Sequence, residues 1–130
     1  VSRTRNECIA YIEQLTKETA EILGLDLTIT SDDILVIDEY IGDGYSIPSP
    51  EGIESIRLVA RTEGIFLDPI YTGKAIAGLT DLVKKGNISS DKTVIFLHTG
   101  GSPSIFSYAS AITASNDSAN SLFIKLPGVK

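Results

Sequence analysis

Thr93-Val94-Ile95-Phe96-Leu97-His98-Thr99-Gly100-Gly101-Ser102-Pro103 is the stretch on which the fold turns. Its first half is β-branched and apolar without a charge, as in a strand covered on both faces of a parallel sheet. Two glycines and a proline then force a turn, and the pattern predicts a short helix from Ser104 to about Ile112. Strand, turn and helix in that order form the handover at which open parallel sheets hold ligands. Gly100 and Gly101 let the backbone approach a ligand closely, and the N–H groups of a helix start add partial positive charge. Thr99 and Ser102 contribute hydroxyls. The same spacing also fits a tight turn with Ser102 as a plain N-cap, and spacing alone leaves both readings open.

Upstream of this junction, helical periodicity alternates with apolar runs. Ile9, Ile12, Leu15, Ala20 and Leu23 give one face of a helix from Thr4 to Leu23, ended by Gly24. Ser31-Asp32-Asp33 is a turn, and Ile34-Leu35-Val36-Ile37 has the character of a strand. Residues Asp38 to Pro48 form a long connection. Ser49-Pro50-Glu51 then opens a helix with a hydroxyl for the N-cap, proline at N1 and an acid in the first turn. Ile53, Ile56, Val59 and Ala60 are its inner face, and Gly64 its end. Asp68-Pro69 marks another start, with Ala75, Ile76, Leu79, Leu82 and Val83 at helical spacing as far as Lys85. Thr113 to Ser121 is a small, polar loop within an irregular tail over residues 113–130, with Leu122 to Leu126 as a last short strand.

Helices alternating with apolar strands make the class α/β, an open and mostly parallel twisted sheet with helices on both faces. Two strands are too few for such a sheet. The expectation is therefore a single partial domain over residues 1–130, whose other strands lie elsewhere. The start at Val1 and the absence of methionine agree with a piece of a longer chain.

Composition narrows the function. Of 130 residues, 42% are hydrophobic and 22% charged, as in an ordinary folded domain. Lys+Arg number 11 against 17 Asp+Glu, a net charge of −6 that argues against a nucleic-acid backbone as partner. Apolar runs stop at about five residues where a bilayer span needs roughly 20. The lone Cys8 excludes an intrachain disulfide and a multi-cysteine zinc site, and reads as core. His98 is the single histidine, which argues against a metal site or a triad within this chain and suits a residue that bonds a neighbour. Gly42-Asp43-Gly44 lacks the third glycine of a dinucleotide loop. Gly73-Lys74 is followed by Ala75, so a P-loop is excluded too. Asp32-Asp33 and Asp38-Glu39 read as solvated turn residues. Tyr45 and Tyr71 lie in loops or at helix starts beside Gly and Pro, off the core-facing repeats. A tyrosine so placed can stack, hydrogen-bond a carboxylate or transfer a proton, or simply sit at a rim.

Three stretches taken together carry a family resemblance. Gly42-Asp43-Gly44-Tyr45-Ser46-Ile47-Pro48-Ser49-Pro50-Glu51 is followed by Glu63-Gly64-Ile65-Phe66-Leu67-Asp68-Pro69-Ile70-Tyr71-Thr72-Gly73-Lys74. Val94-Ile95-Phe96-Leu97-His98-Thr99-Gly100-Gly101-Ser102-Pro103-Ser104-Ile105-Phe106 completes the set. In this order and spacing they resemble the C-terminal part of D-cysteine desulfhydrase and 1-aminocyclopropane-1-carboxylate deaminase, a tryptophan-synthase-β-like branch of the fold-type-II pyridoxal-phosphate enzymes. The resemblance runs from about Asp38 to Tyr108 and does not reach the tail.

The resemblance implies pyridoxal 5′-phosphate as cofactor and a small amino acid as substrate. It also implies a homodimeric, cytoplasmic lyase of D-amino acid catabolism. Residue by residue, Tyr45 and Tyr71 match two tyrosines facing the substrate. Thr72 matches the position beside the cofactor's ring nitrogen, and Thr99, with Gly100 in the same turn, a second hydroxyl near that nitrogen. The deaminases usually carry a glutamate where Thr72 stands, whereas the desulfhydrases resemble this chain. A carboxylate keeps a pyridine nitrogen protonated, while a neutral hydroxyl leaves the ring a weaker electron sink. That suffices for loss of a thiol from the β-carbon, so Thr72 favours D-cysteine going to pyruvate, hydrogen sulfide and ammonia over opening of a cyclopropane. The family's Schiff-base lysine and phosphate loop lie in an N-terminal part that this sequence does not contain. The isolated chain is accordingly expected to be inactive. A module that binds a small anion at Gly100-Gly101 without chemistry is the non-enzyme alternative.

Overall fold

A computed structural model describes residues 3–89 and 91–114. Four α-helices follow one another: α1 over Arg5–Leu23, α2 over Pro50–Glu63, α3 over Thr72–Lys84 and α4 over Ala109–Thr113. Short 3₁₀ turns occupy Ser31–Asp33 and Ser102–Tyr108. Local chemistry sets the helix starts. Thr4 and Glu7 form a reciprocal capping box on α1. Ser49 accepts the Gly52 N–H on α2 at 3.1 Å, with Pro50 in the first turn. Gly64 ends α2 at φ 68°, a left-handed conformation that a side chain would resist.

The core is small and lies between α2 and α3. Ile53, Ile56 and Leu67 form its buried cluster, with Val59, Ile76, Phe96 and Ile112 packed against it. Arg57 fastens α4 to α2, its guanidinium donating to the carbonyls of Ala111, Ile112 and Ala114. A cation at those carbonyls also meets the negative end of the α4 dipole.

The described residues contain no β-ladder, which corrects the expected strands at Ile34–Ile37 and Thr93–Leu97. The reason is visible in exposure. Phe96 packs on the core, but Ile95 is 90% and Leu97 79% exposed, and Leu35 is 76% exposed. One side of the 93–97 segment is covered and the other bare, because no second segment lies alongside to accept its backbone bonds. The helix expected from Ser104 is instead a 3₁₀ turn running into α4. Ser102 is not its N-cap: Gly101 holds that position, and the Ser102 hydroxyl donates to the Phe66 carbonyl at 3.0 Å. The helix expected from Asp68 begins at Thr72. Asp32 and Asp33 lie in a 3₁₀ turn, and Asp33 accepts from the Thr30 N–H at 3.0 Å. The strand at Leu122–Leu126 and nearly all of the expected 113–130 tail lie outside the described residues.

α1 contacts only the 31–33 turn among the other elements. Ala20 is its one buried residue, and Ile12 and Leu15 stay about two-fifths exposed (39% and 42%). Cys8 is half-buried rather than in the core.

Tyr40 fixes the long connection to α3. Its ring lies over Gly78, where a Cβ would come within 2.9 Å of Cδ2 and 3.2 Å of Cγ. Gly78→Ala is thus expected to push the ring away and destabilise the fold by about 1–3 kcal/mol, read as a lower urea midpoint. The Tyr40 hydroxyl donates to Asp81, which also takes Lys85 Nζ at 2.6 Å. The Lys85 and Tyr40 bonds hold the Asp81 carboxyl below its usual range, and the Asp81 bond raises the Tyr40 phenol above its own. The Asp81 contribution is present above its unfolded value and lost as pH falls through the depressed one. The Tyr40 contribution is present below its unfolded value and lost as pH rises through the elevated one. Hydrogen-exchange protection around Tyr40 should therefore be flat between about pH 5 and pH 9 and fall at both extremes.

Candidate active site

The loop Phe66-Leu67-Asp68-Pro69-Ile70-Tyr71 collects the candidate residues, and Asp68 organises it. Asp68 is fully buried. Its Oδ1 accepts the N–H groups of Ile70 at 2.8 Å and Tyr71 at 2.7 Å, and Oδ2 accepts the Thr72 N–H at 2.8 Å. The Thr72 N–H, and that of Tyr71 at the cap, are donors that the start of α3 would otherwise leave unpaired. Thr72 Oγ1 donates to the same Oδ2 at 2.5 Å and accepts the Asp68 N–H at 2.7 Å. Burial pushes the Asp68 carboxyl up, but the bonds from Thr72, Tyr71 and Ile70 together outweigh it and hold it below the usual range. Asp68 therefore stays ionised at neutral pH, bound by dipoles alone among the described residues.

The His98-Ser102 turn is pinned to this loop. His98 Nδ1 accepts the Gly100 N–H at 3.0 Å, so its other nitrogen carries the proton and donates to the Phe66 carbonyl at 2.9 Å. That is the neutral tautomer, and it matches the expected neighbour-bonding role of the single histidine. Gly101, at φ 88°, lies flat on Asp68: a Cβ there would fall 2.9 Å from Cγ and 3.0 Å from Oδ2. Thr99 and Gly100 are exposed on the same turn, and Thr99 makes no hydrogen bond to another described residue.

Tyr45 arrives from the 41–47 loop. Lys74, on the first turn of α3 and 8% exposed, donates through Nζ to the carbonyls of Ile41 at 2.6 Å and Gly44 at 3.1 Å. On the other side the Tyr108 hydroxyl donates to the Ser46 carbonyl at 2.9 Å, so Ser46 Oγ must supply the proton of the 2.8 Å bond between the two hydroxyls. Ser46 is the one non-glycine residue with positive φ among those described, at 64°. The strain is held in place by these bonds, next to Tyr45.

Held this way, the Tyr45 and Tyr71 hydroxyls are 2.9 Å apart, with ring centroids at 6.1 Å and planes tilted by 55°. Both rings are more than half exposed. The bond from Tyr45, then burial, raises the Tyr71 phenol above its ordinary value, so it keeps its proton throughout the neutral range. In such a pair one hydroxyl donates to the other, which leaves one proton and the unused lone pairs for a ligand.

The structure thus brings Tyr45 to Tyr71, and brings Thr72 and the Gly100-Gly101 turn around Asp68. The Thr72 side chain is 2% exposed, turned onto Asp68. Thr99 is near in sequence to these contacts without touching Tyr45, Tyr71 or Thr72 through a hydrogen bond. A cleft of about 760 Å³ is lined by none of these residues. It is lined by Tyr40, Ser55, Arg61, Thr80 and Asp81, among others. No cluster of potential metal ligands occurs among the described residues. None of the described helices is long and apolar enough to cross a membrane.

Sequence reasoning did not find Asp68, which it read as a helix start. The available signal was an acid three and four residues ahead of Tyr71-Thr72, the reach at which an aspartate satisfies the first N–H groups of a helix.

Comparison with known proteins gives a family and structural neighbours. Residues 3–100 match the family model described as pyridoxal-phosphate dependent enzyme. Among solved structures, one described as the crystal structure analysis of the ACC deaminase homologue is similar, with a TM-score of 0.65 and 36% sequence identity. The match covers 79% of this chain and 30% of that one, so this chain spans less than a third of the length of that neighbour.

Proposed function

The chain belongs to the pyridoxal-phosphate dependent enzyme family, and on that premise we propose that it is the part of a D-cysteine desulfhydrase-like lyase that faces the substrate and the cofactor's ring nitrogen. The reaction is D-cysteine plus water to pyruvate, hydrogen sulfide and ammonia. The observation that carries this reading is the Tyr45–Tyr71 hydroxyl pair at 2.9 Å, beside a threonine in place of a carboxylate.

The donor set suits the cofactor on two sides. Thr72 and Thr99 are hydroxyls for the ring-nitrogen end, on segments fastened to each other through Asp68 and Gly101. Gly100 leaves its side of the turn open for a ring to approach. No described lysine suits the bond to the cofactor. Lys74 is committed to two carbonyls and Lys85 to Asp81, while Lys17, Lys84 and Lys92 are exposed away from these residues. The resemblance assigns the cofactor-binding lysine and the phosphate loop to an N-terminal part of the enzyme, and the 130-residue piece alone is expected to turn over nothing.

Pyridoxal phosphate, when bound, supplies an electron sink for charge developing at the substrate's α-carbon. The tyrosine pair does the rest that this chain can do. Its remaining proton holds a substrate carboxylate or meets the departing sulfur, and an unused lone pair accepts from the substrate ammonium. A thiol, with a pKa of about 8.5, leaves as a stable anion that needs little assistance. A cyclopropane leaves carbon, which demands far more of the ring. The alternative is the deaminase itself, favoured by the 36% identity to an ACC deaminase homologue.

Sulfide release from D-cysteine against ammonia release from 1-aminocyclopropane-1-carboxylate, by the protein carrying this chain, separates the two. Sulfide as the dominant product supports the desulfhydrase reading, and turnover of the cyclopropane alone overturns it. Binding of a small anion with neither product would leave the non-enzyme module. A homodimer in the cytoplasm completes the proposal.

A further inference from the structure

We infer that Tyr108 is a positioning residue for Tyr45: its hydroxyl holds Ser46 in a left-handed conformation, and that conformation aims the neighbouring Tyr45 at Tyr71. The inference rests on the reading above for the part the tyrosine pair plays in turnover, and on backbone geometry for everything else.

Packing does not place Tyr45. The residue is 63% exposed, and its side chain has no hydrogen-bond partner but the Tyr71 hydroxyl among the described residues. The direction of its ring therefore follows from the backbone that carries it. Two clamps fix that backbone. On one side Lys74 Nζ donates to the Gly44 carbonyl at 3.1 Å, which sets the peptide plane entering Tyr45. On the other, the Tyr108 hydroxyl donates to the Ser46 carbonyl at 2.9 Å and accepts from Ser46 Oγ at 2.8 Å, which sets the plane leaving Ser46.

The second clamp works against strain. Ser46 has φ 64°, a region that a residue with a Cβ resists. Left to itself it would return to negative φ. The chain downstream is anchored at Ser49 and α2, so the rotation would fall on Tyr45 and swing its ring from Tyr71. Ser46 is exposed, so water can satisfy its carbonyl and hydroxyl without Tyr108. What Tyr108 contributes is the conformation. Its own seat is firm: it is the N-cap of α4, which Arg57 bonds to α2 and whose Ile112 packs on the core. Tyr108 also closes the 3₁₀ turn that follows Thr99 and Gly100, so the turn assigned to the cofactor and the tyrosine pair share one support.

Steady-state kinetics of the protein carrying this chain test the inference, with D-cysteine or 1-aminocyclopropane-1-carboxylate, whichever it turns over. Tyr108→Phe keeps the ring and removes only the oxygen. It should lower kcat by about 10- to 100-fold, as a misplaced group does, with the cofactor's visible absorbance intact. Added to Tyr45→Phe, the same substitution should cost less than about twofold, because the hydroxyl it positions is already gone. Ser46→Gly added to Tyr108→Phe should raise kcat again, since glycine adopts a positive φ without support. Should Tyr108→Phe not fold by circular dichroism, Ser46→Val makes the test from the other end. A β-branched side chain rejects positive φ, so Ser46→Val should lower kcat to a similar extent and add nothing to Tyr45→Phe. Full activity in Tyr108→Phe, an equal loss in the Tyr45→Phe background, or no recovery with Ser46→Gly overturns the inference and leaves the tyrosine pair standing. Turnover of neither substrate by the unaltered protein, or full activity in Tyr45→Phe, overturns the functional reading itself and the inference with it.

Discussion

Tyr71→Phe is expected to leave the cofactor's visible absorbance intact and to lower kcat by a factor of about 10² or more, the usual cost of removing a group that moves a proton. The substitution deletes one oxygen and keeps the ring. That oxygen is one half of the 2.9 Å pair with Tyr45, and without it the remaining proton and lone pairs are no longer held at one place. The backbone of residue 71 stays anchored, because its N–H bonds Asp68 at 2.7 Å whatever the side chain. The loss should accordingly appear in kcat and kcat/KM rather than in folding. Tyr45→Phe should lower activity as well, and it should also return the Tyr71 phenol toward its ordinary acidity, since the Tyr45 bond is the first cause of its elevation. Ser107→Ala, at an exposed position in the 3₁₀ turn, should change little. Tyr71→Phe at full activity would remove the pair from the mechanism.

Gly101→Ala carries the second large effect, and it acts on structure. The backbone there has φ 88°, which costs a side-chain-bearing residue roughly 1–2 kcal/mol. The new methyl would also sit 2.9 Å from Asp68 Cγ and 3.0 Å from Oδ2, an overlap worth about 1–3 kcal/mol more. A combined loss of about 2–5 kcal/mol is expected in urea unfolding of the protein carrying this chain. Asp68 is held against yielding, because both of its oxygens accept N–H groups of residues 70–72. The turn must lift instead, breaking the His98 and Ser102 bonds to the Phe66 carbonyl and carrying Thr99 with it. An unchanged urea midpoint for Gly101→Ala would show that the turn does not lie on Asp68.

What the sequence disclosed was local. Ser49-Pro50 announced its helix because an N-cap acts on N–H groups two or three residues away. The glycine turn after Leu97 was legible for the same reason. The family was legible because three separate motifs kept their order. The sheet was not. An apolar run such as Val94-Ile95-Phe96-Leu97 shows that a segment is suited to burial between layers, but burial requires neighbours, and among the described residues only the Phe96 side has one. Asp68 escaped notice for a further reason. A carboxylate beside a proline usually signals a solvated turn, and only the closing of the Gly101 turn over it makes it buried.

The most direct test is the crystal structure of the cofactor-loaded protein that carries this chain. The account predicts a pyridoxal ring whose nitrogen lies within hydrogen-bond distance of Thr72 Oγ1, with Thr99 beside it and the Tyr45 and Tyr71 hydroxyls facing the substrate side. A cofactor seated in the cleft lined by Tyr40, Ser55, Arg61 and Asp81, or one whose nitrogen is turned away from both threonines, would contradict it.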